Sequence, residues 1–465
     1  MTSPAGADAL DAGRETHTTV GQRLQSAFGL VALLFFAWLM STNRRAVPWR
    51  VIVWGLGLQC AFALFILRTT VGERVFAAAN AVIVALLGFT IEGARFVFGN
   101  LVYNNVPVGP AAGPMAPITT QAGWANTGAF FAFNVLPTII FFSSLMTVLY
   151  HLRVMQVVVE GLAWVMMRTM RTSGAETLST AGNIFLGQTE APLLVKPFVK
   201  IMTLSELNAV MVGGFATVAG GVMAAYVGML VSYFPDIAGH LLAASVISAP
   251  ATLVIAKLMV PETGEPLTRG SLRLELESPD ANLIDAAARG ASEGMHLALN
   301  VAAMLLAFIA LIALANSLFG YLADVTRLTA LLHELDLLSP DRRLTLEVAL
   351  GWLLAPLAWI MGVPWGDAVA VGSLIGVKTI LNEFVAYLQL SALLGGGVDL
   401  SARAVVIATY ALCGFANFSS IAIQIGGIGG LAPERRSDLA RLGVRAMIGG
   451  SLASFMTATV AGMVI

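Results

Sequence analysis

The chain has little charge. Of its 465 residues, 11% are Asp, Glu, Lys or Arg, whereas a soluble domain carries about 25%. It also lacks a surplus of either sign: 26 basic side chains face 27 acidic ones, for a net charge of −1. That balance excludes a nucleic-acid partner held by bulk electrostatics. There are two cysteines, Cys60 and Cys413, both in apolar runs, which excludes a disulfide framework. The five histidines (His17, His151, His240, His296 and His333) are scattered, and no CxxC motif joins them, so a His/Cys metal centre is not expected. Catalytic dyads, metal pairs and Asp-rich diphosphate motifs are also missing, which argues against an intramembrane enzyme. What abounds is apolar sequence: 57% hydrophobic residues and a mean hydropathy of +0.82. Several runs approach the roughly 20 apolar residues that cross a bilayer. The chain reads as an all-α polytopic membrane protein.

Residues 1–25 are polar and lack the n-region and h-region of a signal peptide; a disordered tail is expected there. Apolar spans fall near 26–41, 51–68, 136–150, 206–234, 238–259, 296–318, 403–432 and 443–464. Basic residues mark the cytoplasmic side. Arg44, Arg45 and Arg50 put 42–50 inside, as Arg435, Arg436, Arg441 and Arg445 do for 433–445. The uncharged stretch 101–125 and both termini then lie outside. Segments 70–98 and 151–171 are apolar but carry charge, and read as interfacial.

Two segments are too polar and broken to cross as lipid-facing helices. Residues 172–200 contain Asn183, Gln188, Glu190 and Pro192; residues 346–391 contain two Pro-bearing stretches, Lys378 and Glu383. Irregular backbone at membrane depth survives where protein or a water-filled cavity covers it. Re-entrant hairpins meet that condition. Carboxylates and amides are costly in a membrane, so these islands point to a polar substrate site.

The chain also repeats. Gly-Phe-Ala-Thr at 214–217 returns as Gly-Phe-Ala-Asn at 414–417, and Asn183 returns as Asn382. By the charge argument, 206–234 runs outward and 403–432 inward. Two readings fit: an inverted repeat of the transporter type, or Gly-Ala runs that only let helices pack closely.

Several ordered motifs resemble the concentrative nucleoside transporters, over roughly 28–462. They are Glu92 to Gly99, Phe133 to Ser144, the run Gly187-Gln188-Thr189-Glu190-Ala191-Pro192 to Phe198, Asn382-Glu383-Phe384 to Tyr387, and Cys413-Gly414-Phe415-Ala416-Asn417-Phe418-Ser419-Ser420-Ile421. The resemblance implies about eight transmembrane helices, two re-entrant hairpins in an inverted repeat, and interfacial helices. It implies a homotrimer in the cytoplasmic (inner) membrane that imports nucleosides with a coupling ion, by an elevator-like movement. The implied units are scaffold at 26–171, a first transport repeat at 172–259, loop, scaffold span and external segment at 260–345, and a second transport repeat at 346–465.

A nucleoside needs hydrogen-bonding groups for its base and an acceptor for its ribose hydroxyls. The resemblance assigns the base to Gln188, Thr189, Glu190 and Val222. It assigns the ribose to Glu383, Phe415, Asn417 and Ser420. It implies sodium coordination by the Asn183 side chain, the Leu186 carbonyl, the Thr217 hydroxyl and the Val218 carbonyl, with no organic cofactor. Proton coupling through a carboxylate such as Glu190 is the alternative. Blander roles also fit some residues: a Glu383–Lys378 ion pair, hairpin-tip hydrogen bonds for Gln188 and Thr189, core packing for Phe415 and helix packing for Ser419. A carrier of nucleobases or another polar solute is the rival function.

Overall fold

The computed structural model describes residues 18–103, 105–110, 123–126, 131–268, 280–334, 338, 343–398 and 400–465. The expected tail is corrected in part. Helix α1 (Val20–Leu39) already begins at residue 20, where the Thr19 side chain and Gln22 form a reciprocal capping box. Residues 1–17 lie outside the described residues.

After α1 come α2 (Trp49–Arg68) and α3 (Thr70–Phe98). A two-stranded antiparallel ladder, β1 (Asn105–Val108) with β2 (Gly123–Asn126), follows. Next are α4 (Phe131–Asn134), α5 (Leu136–His151) and α6 (Val154–Met170). The first polar island forms α7 (Gly174–Gly182), an irregular tip, a 3-10 turn at Ala191–Val195 and α8 (Lys196–Val199). Helices α9 (Leu204–Ala216), α10 (Gly220–Leu230), α11 (Ile237–Met259) and α12 (Leu283–Val325) complete the first half, with α13 (Leu328–Glu334) beyond. The second half holds α14 (Leu346–Ile360), α15 (Trp365–Ile380), α16 (Glu383–Gly395), α17 (Ala402–Leu412), α18 (Phe418–Leu431) and α19 (Arg436–Val464).

Among the described residues, eight helical segments are long and apolar enough to cross a membrane. Against the sequence expectation, one member is exchanged. Helix α3 enters the set because its charges sit near its ends, Glu73 in the first turn and Arg95 in the last, around an uncharged centre. The stretch 403–432 leaves the set because it is broken into α17 and α18. The span 206–234 is likewise interrupted, between α9 and α10. The segment 346–391 resolves into three helices, with α14 and α15 bent by 116°. Gly362 makes that bend with a φ of +106°, a backbone angle costly for a side-chain-bearing residue.

Burial sorts the helices. The windows of α9–α10, α11 and α19 are 94%, 89% and 89% buried, whereas that of α3 is 6% and that of α12 is 17%. The core is therefore α9, α10, α11 and α19. Helices α1 and α17 pack on α19, α2 packs on α11, and α5 pairs with the long α12. Arg403, 5% exposed, ties this core to α1: it donates to the carbonyls of Gly362 and Gly462 (2.8 Å each) and to the Ser26 hydroxyl (2.9 Å). A second buried knot joins Lys257 of α11 to Glu176 of α7 (2.6 Å) and to Glu262 (3.1 Å).

Candidate functional site

Four interruptions converge: the tips after α7 and α15, and the breaks before α10 and α18. Backbone bonds link them. The Gly220 N–H donates to the Phe185 carbonyl (3.0 Å), and the Phe415 N–H donates to the Thr217 carbonyl (3.3 Å). The repeated Gly-Phe-Ala elements meet here, and Gly414 allows their close approach, while Gly214 makes room for the side chains beside them. A Cβ on Gly414 would lie 2.7 Å from the Phe215 carbonyl oxygen. A Cβ on Gly214 would lie 2.7 Å from Gln424 Nε2.

Between the tips lies a cavity of about 150 Å³. All eight residues expected to contact substrate (Gln188, Thr189, Glu190, Val222, Glu383, Phe415, Asn417 and Ser420) line it. Gln188 and Glu383, from opposite halves of the chain, therefore share one pocket. Leu297, Val301, Met304 and Leu305 of α12 form an apolar wall.

Glu383, 4% exposed, opens α16, where Asn382 caps the helix by accepting from the Val385 N–H (2.9 Å). Its carboxylate accepts from the Tyr226 hydroxyl (2.8 Å) and from Asn417 Nδ2 (3.2 Å). The polarity of Asn417 follows from its own cap: its Oδ1 accepts from the Ser420 N–H (2.9 Å) and the Ser419 hydroxyl (2.7 Å), so Nδ2 faces Glu383. Lys378 does not pair with Glu383. Its ammonium donates to the Ala411 carbonyl (2.8 Å), one of those freed where α17 ends.

At the other pole, Gln188 Nε2 donates to the Ser420 hydroxyl oxygen (3.2 Å). Thr189 packs on α18, where a Cβ at Gly427 would meet its methyl at 2.7 Å. The Glu190 carboxylate folds back to accept from the Gly187 N–H, and the residue is exposed. Val222 is buried and Phe415 half-buried along the same walls.

The four residues expected to hold sodium lie close by. Asn183 is fully buried; its Nδ2 donates to the Ser179 carbonyl (3.0 Å), and its Oδ1 has no hydrogen-bond partner among the described residues. Gly213 lies against it, since a Cβ there would be 3.0 Å from Asn183 Nδ2. Thr217, one turn on, donates to the Gly213 carbonyl (3.1 Å) and leaves its oxygen lone pairs available. Leu186 and Val218 flank the Phe185–Gly220 bond. An unpartnered buried oxygen beside loosened backbone suits a cation.

Two residues of this site were missed from the sequence. Tyr226 stacks on Tyr387 (4.4 Å between ring centres) while holding Glu383. Its place one turn after Val222 was the available signal. Gln424, fully buried on α18, donates to Gln188 Oε1 (3.2 Å).

Three family profiles match: "Na+ dependent nucleoside transporter N-terminus" over 28–101, "Nucleoside recognition" over 132–233 and "Na+ dependent nucleoside transporter C-terminus" over 240–462. A Haemophilus influenzae protein described as an uncharacterized transporter is 44% identical over 95% of this chain and 98% of its own. The chain belongs to the concentrative, Na+-dependent nucleoside transporter family. It is thus a multi-pass membrane transporter and not an enzyme. Rat sodium/nucleoside cotransporter 1 is 40% identical over 95% of this chain, which spans 64% of that relative. The structure of CNTnw in an inward-facing, substrate-bound state superposes with a TM-score of 0.81 at 41% identity, covering 95% and 98% of the two chains. An outward-facing variant of CNTnw superposes with a TM-score of 0.83 at 40% identity, covering 96% and 98%.

Proposed function

We propose that this protein imports nucleosides across the cytoplasmic membrane by sodium symport. The observation that carries the reading is the cavity shared by Gln188 and Glu383. One pole is a buried carboxylate, which attracts O–H donors such as the vicinal hydroxyls of ribose. The other is an amide and hydroxyl pole suited to the edge of a base. Val222, Phe415 and the α12 wall cover the flat faces of the base, and Thr189 and Glu190 bound it at the mouth. Asn417 and Ser420 bridge the two poles along α18.

Sodium is the proposed coupling ion, held by Asn183, Leu186, Thr217 and Val218. The Phe185–Gly220 and Thr217–Phe415 backbone bonds connect that set to the cavity walls, so ion binding orders the elements that hold substrate. One sodium ion moving down a roughly 10-fold gradient releases about 1.4 kcal/mol, and crossing about 100 mV adds about 2.3 kcal/mol. Together they sustain an accumulation of roughly 500-fold for a neutral solute.

Alternating access is assigned as an elevator-like movement of the hairpins with their core against a scaffold containing α12. CNTnw is known in both inward- and outward-facing states, which supports two states for a relative of this fold. The assembly is assigned as a homotrimer, with the exposed apolar α12 offering surface to lipid and to neighbouring copies.

Uptake of radiolabelled uridine and adenosine into proteoliposomes tests the proposal. Accumulation under an imposed Na⁺ gradient is expected. Accumulation driven only by a H⁺ gradient would reassign the coupling ion, and competition by uracil as strong as that by uridine would reassign the substrate to nucleobases.

A further inference from the structure

We propose that Gln424 fixes the polarity of the Gln188 amide, making the base pole of the cavity a donor that selects nucleosides with a carbonyl on the outer edge of the base. The inference deepens the nucleoside reading above and rests on it.

The two ends of a glutamine amide differ by one atom, so its direction must come from its partners. Here a backbone carbonyl supplies that direction. Gln424 faces the Met211 carbonyl at 3.1 Å. A carbonyl only accepts, so the Gln424 atom beside it is Nε2. The same nitrogen lies 3.2 Å from Gln188, and the Gln188 atom facing a donor is its oxygen. The Gln188 amino group is therefore on the opposite side, 3.2 Å from the Ser420 hydroxyl oxygen. With that oxygen accepting from Gln188, the Ser420 hydroxyl hydrogen is left to donate. Both groups at this pole present hydrogens.

Two further features belong to the relay. Gly214 makes room for it: a Cβ there would lie 2.7 Å from Gln424 Nε2 and 2.9 Å from Gln188 Cβ. Gln424 and Ser420 sit one helical turn apart on α18 and are both buried, so one rigid element aims the lock and receives its output. The cavity is then acceptor at Glu383 and donor at Gln188. Ribose hydroxyls match the first pole. The outer edge of a base, held by its glycosidic bond away from the ribose, meets the second. Uridine and inosine carry a carbonyl at that edge; cytidine and adenosine carry an amino group.

Competition against radiolabelled uridine uptake in proteoliposomes reads this directly, as the ratio of half-inhibiting concentrations of cytidine to uridine and of adenosine to inosine. A ratio cancels expression and folding yield. The wild type is expected to favour the carbonyl member by about 3- to 10-fold, the range of one net hydrogen bond. Gln424→Met removes the lock, lets the amide rotate and brings both ratios toward one. Gln424→Glu faces Gln188 with an acceptor, turns its amide over and moves both ratios below one. The protonated carboxyl does the same: its hydroxyl spends its hydrogen on the Met211 carbonyl, and the hydroxyl oxygen then faces Gln188 as an acceptor.

Wild-type ratios within two-fold of one, or favouring the amino member, overturn the inference. So do wild-type ratios retained in either variant. No nucleoside uptake by the wild type would instead remove the function itself. Uptake with flat ratios removes only the polarity lock.

Discussion

Replacing Glu383 with glutamine isolates the charge of the proposed ribose pole while keeping its shape. The structure lets the amide fit. Its oxygen accepts from Asn417 Nδ2, which cannot reverse because Asn417 Oδ1 caps α18. Its nitrogen then donates to the Tyr226 hydroxyl oxygen, which rotates its hydrogen away. Both existing contacts survive in altered polarity, so folding is expected to change little. What is lost is the charge on two ribose hydrogen bonds. A charge-assisted bond is worth about 1.5–3 kcal/mol against about 0.5–1.5 for a neutral one. Two bonds therefore forfeit about 2–3 kcal/mol, or roughly 30- to 150-fold in affinity. The assay is uridine uptake into proteoliposomes well below saturation, with oligomer integrity checked by size-exclusion chromatography. Pairing the variant with 2′,3′-dideoxyuridine sharpens it: a substrate without those hydroxyls should distinguish wild type from variant by less than about 3-fold. Uridine uptake within about 3-fold of wild type, or an equal loss for both substrates, would refute the ribose assignment.

Thr217→Val keeps the volume of a proposed sodium ligand and removes its oxygen; the Na⁺ concentration for half-maximal uptake should rise roughly 10-fold, about 1.4 kcal/mol, in a sodium titration of initial rates. Lys257→Met strands Glu176 (1% exposed) and Glu262 beside it. A loss of about 3–5 kcal/mol is expected from breaking a buried pair, seen as a lower unfolding temperature in detergent, with partial rescue by adding Glu176→Gln. Arg403→Lys keeps the charge but not the planar fork that reaches the Gly362 and Gly462 carbonyls and Ser26. Thermal unfolding should show it destabilised by about 2–4 kcal/mol, the range of two or three buried hydrogen bonds.

Much of this site was legible in the sequence because its parts violate the local rule for a membrane chain. Asn183, Gln188, Glu383 and Asn417 are polar residues in apolar surroundings, and each has a steep desolvation cost that needs a compensating role. The motif resemblance then placed the whole set, and the cavity gathers the eight residues expected at the substrate. The span pattern was legible with less accuracy. The broken stretch 403–432 reads as one apolar run because hydropathy reports what a segment can bury and not where its backbone opens. Helix α3 reads as interfacial from its charges, while its length and uncharged centre also meet the requirement for a span.

Composition and motif order alone determined that the chain lives in a bilayer, folds as helices and carries two polar tips of related design. Only the tertiary structure decided which way each amide points. Nothing local in their helices says what Gln424 and Tyr226 hold: each acts on a partner far away in sequence, separated by 236 and 157 positions. Hydrogen-bond direction belongs to a network of donors and acceptors, and that network exists only once the opposed breaks have met.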